Sequence, residues 1–79
     1  MEGLHELLAS MIENEGTLAR AEDYVNEKNS KIISVNRTGT IIRRLTEIRG
    51  YFSCLEDMGI ITSANYFEAI EFVEDNLGM

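Results

Sequence analysis

Apolar residues recur at alternating intervals of four and three along one long stretch of the chain, and this spacing constrains the fold more than any other feature. The positions are Ile41, Leu45, Ile48, Phe52 and Leu55. Because 3.6 residues make one helical turn, such a repeat places every apolar side chain on one stripe of an α-helix. The spacing therefore predicts an amphipathic helix over residues 40–58.

Three further segments show helical spacing and bring the predicted number of helices to four. They cover residues 2–13, 18–28 and 64–77. Thr17 and Ser63 stand where hydroxyl side chains cap the N-terminus of a helix. We therefore expect the chain to be mostly α-helical.

Residues 31–35 (Lys-Ile-Ile-Ser-Val) depart from this pattern, since they are rich in β-branched side chains. We expect a short extended segment here, between helices 2 and 3. It could be a connector packed on the helices, a hairpin with residues 40–42, or an edge that pairs with a second copy or with a partner's sheet. A chain of 79 residues has room for one core. The predicted fold is a single small domain, residues 1–79, built as a compact bundle of about four helices.

The apolar stripes together predict the hydrophobic core. Phe72 falls outside the stripe of its own helix and lies among acidic residues. An aromatic side chain with a polar rim is typical of an interface anchor; alternatively, Phe72 packs against helix 2 or the extended segment. The predicted core residues are Leu4, Leu8, Met11, Ile12, Leu18, Val25, Ile41, Leu45, Ile48, Phe52, Leu55, Ile70, Val73 and Leu77.

Charge is arranged in three blocks within a chain of formal net charge −7. Residues 1–27 carry seven acids and one base, residues 28–49 six bases and one acid, and residues 50–79 six acids and no base. Either the blocks neutralise one another within the molecule, or they face outward and contact partners. Whether the charges are paired within the molecule or exposed to partners decides which function the chain can serve.

The acidic blocks place carboxylates on one side of the first and fourth helices. Side chains three or four residues apart on a helix lie about 5–6 Å apart, which is close to the spacing of phosphates along a nucleic-acid strand. Two such helices could imitate a phosphate backbone and occupy the basic groove of a protein that handles DNA or RNA. The candidate partner-binding residues are Glu68, Glu71, Asp75, Phe72, Glu2, Glu6 and Glu13.

The central basic block offers an alternative surface that could bind nucleic acid directly, since phosphate contacts need clustered cations. The acidic flanks oppose this interpretation because they would repel a duplex over most of the surface. No helix-turn-helix signature or aromatic RNA-binding motif accompanies the block. The residues of this alternative patch are Lys31, Arg37, Arg43, Arg44 and Arg49.

The chain has few residues that could act in catalysis or bind a metal ion. The chain has one histidine, His5, and one cysteine, Cys54, far apart in sequence. Zinc sites need a Cys/His cluster and nucleophilic catalysis needs a base beside the nucleophile, so we expect no metal, no cofactor and no enzymatic activity. No apolar run reaches the roughly 18 residues of a membrane span, and the acidic N-terminus lacks the positive start of a secretory signal. We therefore expect a cytoplasmic protein without a membrane anchor.

These observations favour a non-enzymatic protein-interaction module. We expect a small acidic regulator or inhibitor that binds a basic surface of a partner protein, of the nucleic-acid-mimic or anti-defence type found among phage proteins. This expectation rests on size and charge, since no motif carries it. The alternatives are a homo-oligomeric structural or transcription-associated protein, and a nucleic-acid binder that uses the basic block.

Overall fold

The computed structural model describes residues 1–35 and 38–77, and this part of the chain contains four α-helices and no strand. The predicted mostly α-helical bundle is therefore confirmed. The helices are α1 (Leu4–Ala9), α2 (Glu15–Val35), α3 (Thr38–Asp57) and α4 (Ser63–Asn76).

The two long helices α2 and α3 run antiparallel, and the shorter helices α1 and α4 pack beside them. Contacts join α2 to α3, α3 to α4, α4 to α1 and α1 to α2, so the four helices surround a common core. A helix rises about 1.5 Å per residue, so α2 with its 21 residues is about as long as the molecule, which extends 33 Å. With 6 and 14 residues, α1 and α4 are shorter than their neighbours.

Residues 31–35 form the end of α2, and the extended segment predicted there is wrong. Ile32 is 1% exposed and lies seven residues after the fully buried Val25, so it continues the apolar stripe of the helix. The preference of β-branched residues for strands is weak, and burial of one more large side chain outweighs it.

The start of α2 also differs from the prediction. The helix begins at Glu15, and the side-chain oxygen of Asn14 accepts a hydrogen bond from the backbone amide of Thr17 at 2.9 Å. Asn14 therefore caps the helix in the manner expected of Thr17. Gly16 lies in the first turn of α2.

The turn between α3 and α4 is specified by local hydrogen bonds. Gly59 has a φ of 74°, its amide donates to the carbonyl of Glu56, and the amide of Ile60 donates to that of Leu55. This is a Schellman arrangement, which favours glycine because the left-handed conformation disfavours a Cβ. Thr62 and Asn65 then form a reciprocal capping box, so the cap of α4 is Thr62 and the predicted cap, Ser63, is the first helical residue.

Most of the predicted core is buried. Leu18, Ile41, Leu45 and Leu77 are only half-buried. The prediction also missed small residues and residues outside the assigned helices. The buried apolar residues that it did not include are Ala21, Ile32, Ile61 and Ala69.

Candidate protein-interaction surface

The outer side of α4 carries an exposed aromatic residue among carboxylates. Tyr66, Ile70 and Val73 face the bundle, and the residue that follows each of them turns toward solvent. These residues are Phe67, Glu71 and Glu74, spaced by four and three like the apolar stripe. Together with Glu68 and Asp75 they make one exposed surface, which we call the acidic face of α4. Its members are Phe67, Glu68, Glu71, Glu74 and Asp75.

Phe67 is the most exposed large apolar side chain of the described chain, with 69% of its surface accessible. Its ring packs edge-on against Tyr66, with ring centroids 5.3 Å apart. This contact supports the ring from one side and leaves its outer surface to solvent. Because an exposed phenyl ring is costly in water, the position suits an anchor that another surface covers.

The carboxylates around Phe67 are largely uncompensated. Glu68, Glu71 and Asp75 are exposed and form no ion pair with any residue in 1–35 or 38–77. Glu74 at the edge of the face is paired with Arg49 of α3, with 2.5 Å between Oε1 and the guanidinium nitrogen. Glu68, Glu71 and Asp75 therefore lie together on the exposed side of α4.

The acidic residues of the N-terminal region are also exposed. Glu2, Glu6 and Glu13 make no ion pair within the described residues. Only Glu6 belongs to α1, because that helix covers Leu4–Ala9 and not the predicted residues 2–13. The three carboxylates therefore extend over the helix and its two flanks, and do not form one straight helical row.

Phe72 is half-buried and packs against Gly3. A Cβ built on Gly3 would lie 3.3 Å from Cζ of the Phe72 ring, and Gly3 has a φ of 81°. Glycine at this position permits close approach of the ring to the backbone before α1. Internal packing thus occupies part of the ring predicted as an anchor, and Phe67 is the more accessible aromatic residue. The exposure of Phe67 could have been inferred from its spacing of four and seven residues from Glu71 and Glu74, which places the three side chains on one side of the helix.

The basic block is mostly engaged inside the molecule. Lys31 pairs with Glu27 at 3.2 Å, Arg44 with Glu47 at 2.6 Å, and Arg49 with Glu74. Arg43 is exposed and has no ion pair within the described part of the chain. Arg37 lies outside the described residues. The alternative basic patch is therefore divided among separate ion pairs, and does not form one free cationic surface between residues 38 and 49.

Lys28, a further cation of the basic block, lies at the interface of α2 and α3. Lys28 Nζ lies 2.9 Å from Glu47 Oε2 and 5.0 Å from the centre of the Tyr24 ring, which stacks on Tyr51. The hydrogen bond from Lys28 lowers the pKa of the Glu47 carboxyl, with a further contribution from Arg44, and the same carboxylate raises the pKa of Lys28. Burial raises the pKa of the Tyr51 hydroxyl. This cluster therefore joins the two long helices through an ion pair, a ring stack and a cation–π contact.

His5 and Cys54 are not brought together. His5 Nδ1 lies 2.7 Å from Glu22 Oε2 on the surface between α1 and α2, and this hydrogen bond raises the pKa of the imidazole. Cys54 is exposed on α3. Among the residues that the structure describes, no group of three or more His, Cys, Asp and Glu side chains could hold a metal ion.

Across residues 1–35 and 38–77, each helix is either too short or too polar to span a bilayer. Comparison with known protein families, with curated proteins and with solved structures finds no match to this chain.

Proposed function

We propose that this chain is a non-enzymatic protein-interaction module that acts in the cytoplasm as a small acidic regulator or inhibitor. It binds a basic surface of a partner protein through the acidic face of α4. The observation that carries this proposal is the exposed Phe67 ring among the uncompensated carboxylates of Glu68, Glu71 and Asp75.

The two kinds of side chain contribute differently to binding. An aromatic residue at the centre of an interface supplies most of the affinity when its surface is desolvated. Carboxylates at the rim steer a cationic partner toward the face and select against anionic ones. With a net charge of −7, the whole molecule reinforces this steering.

A protein that handles nucleic acid is the partner class that this surface suits best. Glu68, Glu71 and Asp75 are separated by three and then four residues, so successive side chains lie about 5–6 Å apart, close to the distance between successive phosphates. Glu2, Glu6 and Glu13 extend the anionic surface onto the neighbouring N-terminal region. An arginine- or lysine-rich groove would meet these carboxylates in place of a phosphate backbone.

The test begins with affinity capture from the native host, followed by calorimetric titration of the purified captured protein. We expect Phe67→Ala to weaken binding roughly 30-fold or more, as for interface hot spots. The triple variant Glu68→Gln/Glu71→Gln/Asp75→Asn should weaken binding and flatten its dependence on salt.

A matched control neutralises three exposed acids elsewhere: Glu15→Gln/Asp23→Asn/Asp57→Asn. It makes the same change in net charge and leaves the acidic face of α4 intact, so it should retain most of the affinity. Binding that responds equally to the two triple variants, or that ignores Phe67→Ala, would exclude this face as the binding surface.

The nucleic-acid-binding alternative has weaker support. It requires a free cationic cluster, whereas Lys31, Arg44 and Arg49 each lie within 3.2 Å of a carboxylate of the same chain.

A further inference from the structure

An exposed isoleucine on α3 and the exposed Phe67 on α4 lie on the same side of the bundle. Ile42 is 61% exposed, and it precedes Arg49 by seven residues. Phe67 precedes Glu74 by seven residues. Since Arg49 and Glu74 contact each other across the two helices, each apolar residue lies about two turns, or about 10.5 Å, from the same ion pair.

The two helices run in opposite directions, so these equal steps lead to opposite sides of the ion pair. The antiparallel direction follows from a second contact, in which the Ser63 hydroxyl donates to the Glu56 carboxylate. A rotation of 180° about an axis that lies just outside this surface, next to the Arg49–Glu74 pair and perpendicular to the line from Ile42 to Phe67, therefore brings Ile42 of one copy opposite Phe67 of another. The same rotation brings Phe67 of the first copy to Ile42 of the second.

The charges at the two sites are complementary. Arg43 follows Ile42, is exposed, and has no ion pair within the described residues. Glu68 and Glu71 flank Phe67 and are likewise exposed without ion pairs there. In each contact, Ile42 of one copy would meet Phe67 of the other. Arg43 beside Ile42 would then lie near Glu68 and Glu71 of the other copy.

We propose that this outer surface of α3 and α4 binds a second copy of the chain, forming a dimer with twofold symmetry. The interface contains two identical contacts between Ile42/Arg43 of one copy and Phe67/Glu68/Glu71 of the other. Such self-complementary, closed interfaces are the commonest kind in soluble oligomers. The inference rests on the proposed function in one respect, namely that the acidic face of α4 is a binding surface. The second copy and the foreign partner would compete for this face.

The α3 surface between the two contacts leaves space for close approach. Gly50 and Thr46 are exposed on this side, and a Cβ built on Gly50 would meet no side chain within 4 Å beyond its two neighbours in the chain. The second copy therefore meets no bulky side chain at these two positions.

Sedimentation velocity over a wide range of protein concentrations gives the first test. We expect the wild-type chain to move from monomer to dimer, and Ile42→Glu to raise the dimer dissociation constant at least about tenfold. The matched control is Ile33→Glu. Ile33 is 55% exposed but lies seven residues after Asn26, which contacts the Met1 amine beside α1, so it belongs to the opposite edge. A wild-type chain that remains monomeric, or equal effects of the two substitutions, would overturn the proposal.

A charge exchange gives the second test and does not depend on any single variant. Arg43→Glu alone and Glu68→Lys/Glu71→Lys alone should each fail to dimerise, because both contacts then join like charges. An equimolar mixture of the two variants should form a heterodimer, because opposite charges meet at both contacts. Absence of the heterodimer, with circular dichroism showing both variants folded, would overturn the proposed interface.

The two proposals fail in different ways. If the chain is monomeric but Phe67→Ala still weakens binding to the captured protein, only the dimer is wrong. If the dimer forms and neither Phe67→Ala nor the triple neutralisation affects the foreign partner, the dimer is supported and the proposed function is wrong.

Discussion

Lys28 Nζ and Glu47 Oε2 lie 2.9 Å apart and connect α2 to α3. Arg44 contacts the other oxygen of the same carboxylate at 2.6 Å, so Glu47 joins two cations. All three side chains are partly buried. Glu47 thus pairs with two of the six cations of the basic block. These two cations therefore do not form ion pairs with the acidic residues at the ends of the chain.

Glu47→Gln should destabilise the fold more than Lys28→Met does. The first substitution leaves two partly buried cations close together without a counter-ion, whereas the second preserves the Arg44–Glu47 pair and keeps an apolar stem over Tyr24. Urea midpoints at neutral pH measure this order. The reverse order would show that Glu47 does not organise the cluster.

Acid should remove the contribution of Glu47. Its pKa is lowered in the folded state, chiefly by the hydrogen bond from Lys28, from an ordinary value of 4.5. The stabilisation is therefore complete above pH 4.5 and is lost as the pH falls through the lower, folded-state pKa. The difference in urea midpoint between wild type and Glu47→Gln should shrink from pH 6 to pH 3. A difference that stays constant over this range would contradict the assignment.

His5 should titrate above its ordinary pKa of 6.5, because its hydrogen bond to Glu22 favours the charged imidazolium. Its stabilisation is therefore present below pH 6.5 and is lost as the pH rises through the folded-state pKa. In an NMR titration, Glu22→Gln should lower the midpoint of His5 more than Glu6→Gln does, since Glu6 makes the smaller contribution. Equal midpoints in wild type and Glu22→Gln would exclude this pair in solution.

Truncation of two phenylalanines should change the free energy of unfolding by very different amounts. Phe52 is fully buried, so Phe52→Ala should cost about 3–5 kcal/mol. A domain of this size has only roughly 3–5 kcal/mol of net stability, so this variant should be largely unfolded by circular dichroism. Phe67→Ala should change the free energy of unfolding by only about 0.5 kcal/mol. A large loss of stability in Phe67→Ala would mean that this ring serves the fold and is not reserved for a partner.

The cap of α4 should depend on Thr62. Its hydroxyl accepts from the Asn65 amide at 3.1 Å, and Asn65 Oδ1 accepts from the Thr62 amide at 3.2 Å. Thr62→Ala should cost about 0.5–2 kcal/mol. Ser63→Ala, one residue later, should cost less because it removes only an exposed contact to Glu56. Chemical denaturation of both variants gives the comparison, and a greater loss in Ser63→Ala would assign the cap to Ser63.

The sequence was sufficient for the number of helices, for most of the core and for the arrangement of charge. Leu4, Ile48 and Val73 belong to apolar stripes that are regular enough to identify a buried face. Helix boundaries were less predictable, because Asn14, Gly16 and Ile32 act through local contacts and burial that periodicity does not report. The end of α2 is the clearest case, since its composition favoured a strand and its packing required a helix.

The candidate site depended on tertiary structure to a greater degree. Sequence alone located Glu68, Glu71 and Asp75 on one side of α4, because they are close in the chain. The engagement of Phe72 was decided by the approach of Gly3, which is distant in sequence. Phe67 stays accessible, with 69% of its surface exposed. Pairings of cations were likewise set by the register between helices, as in Arg49 with Glu74. The physical reason is that periodicity reports the direction of a side chain from its own helix, whereas exposure and charge compensation depend on which other helix lies there.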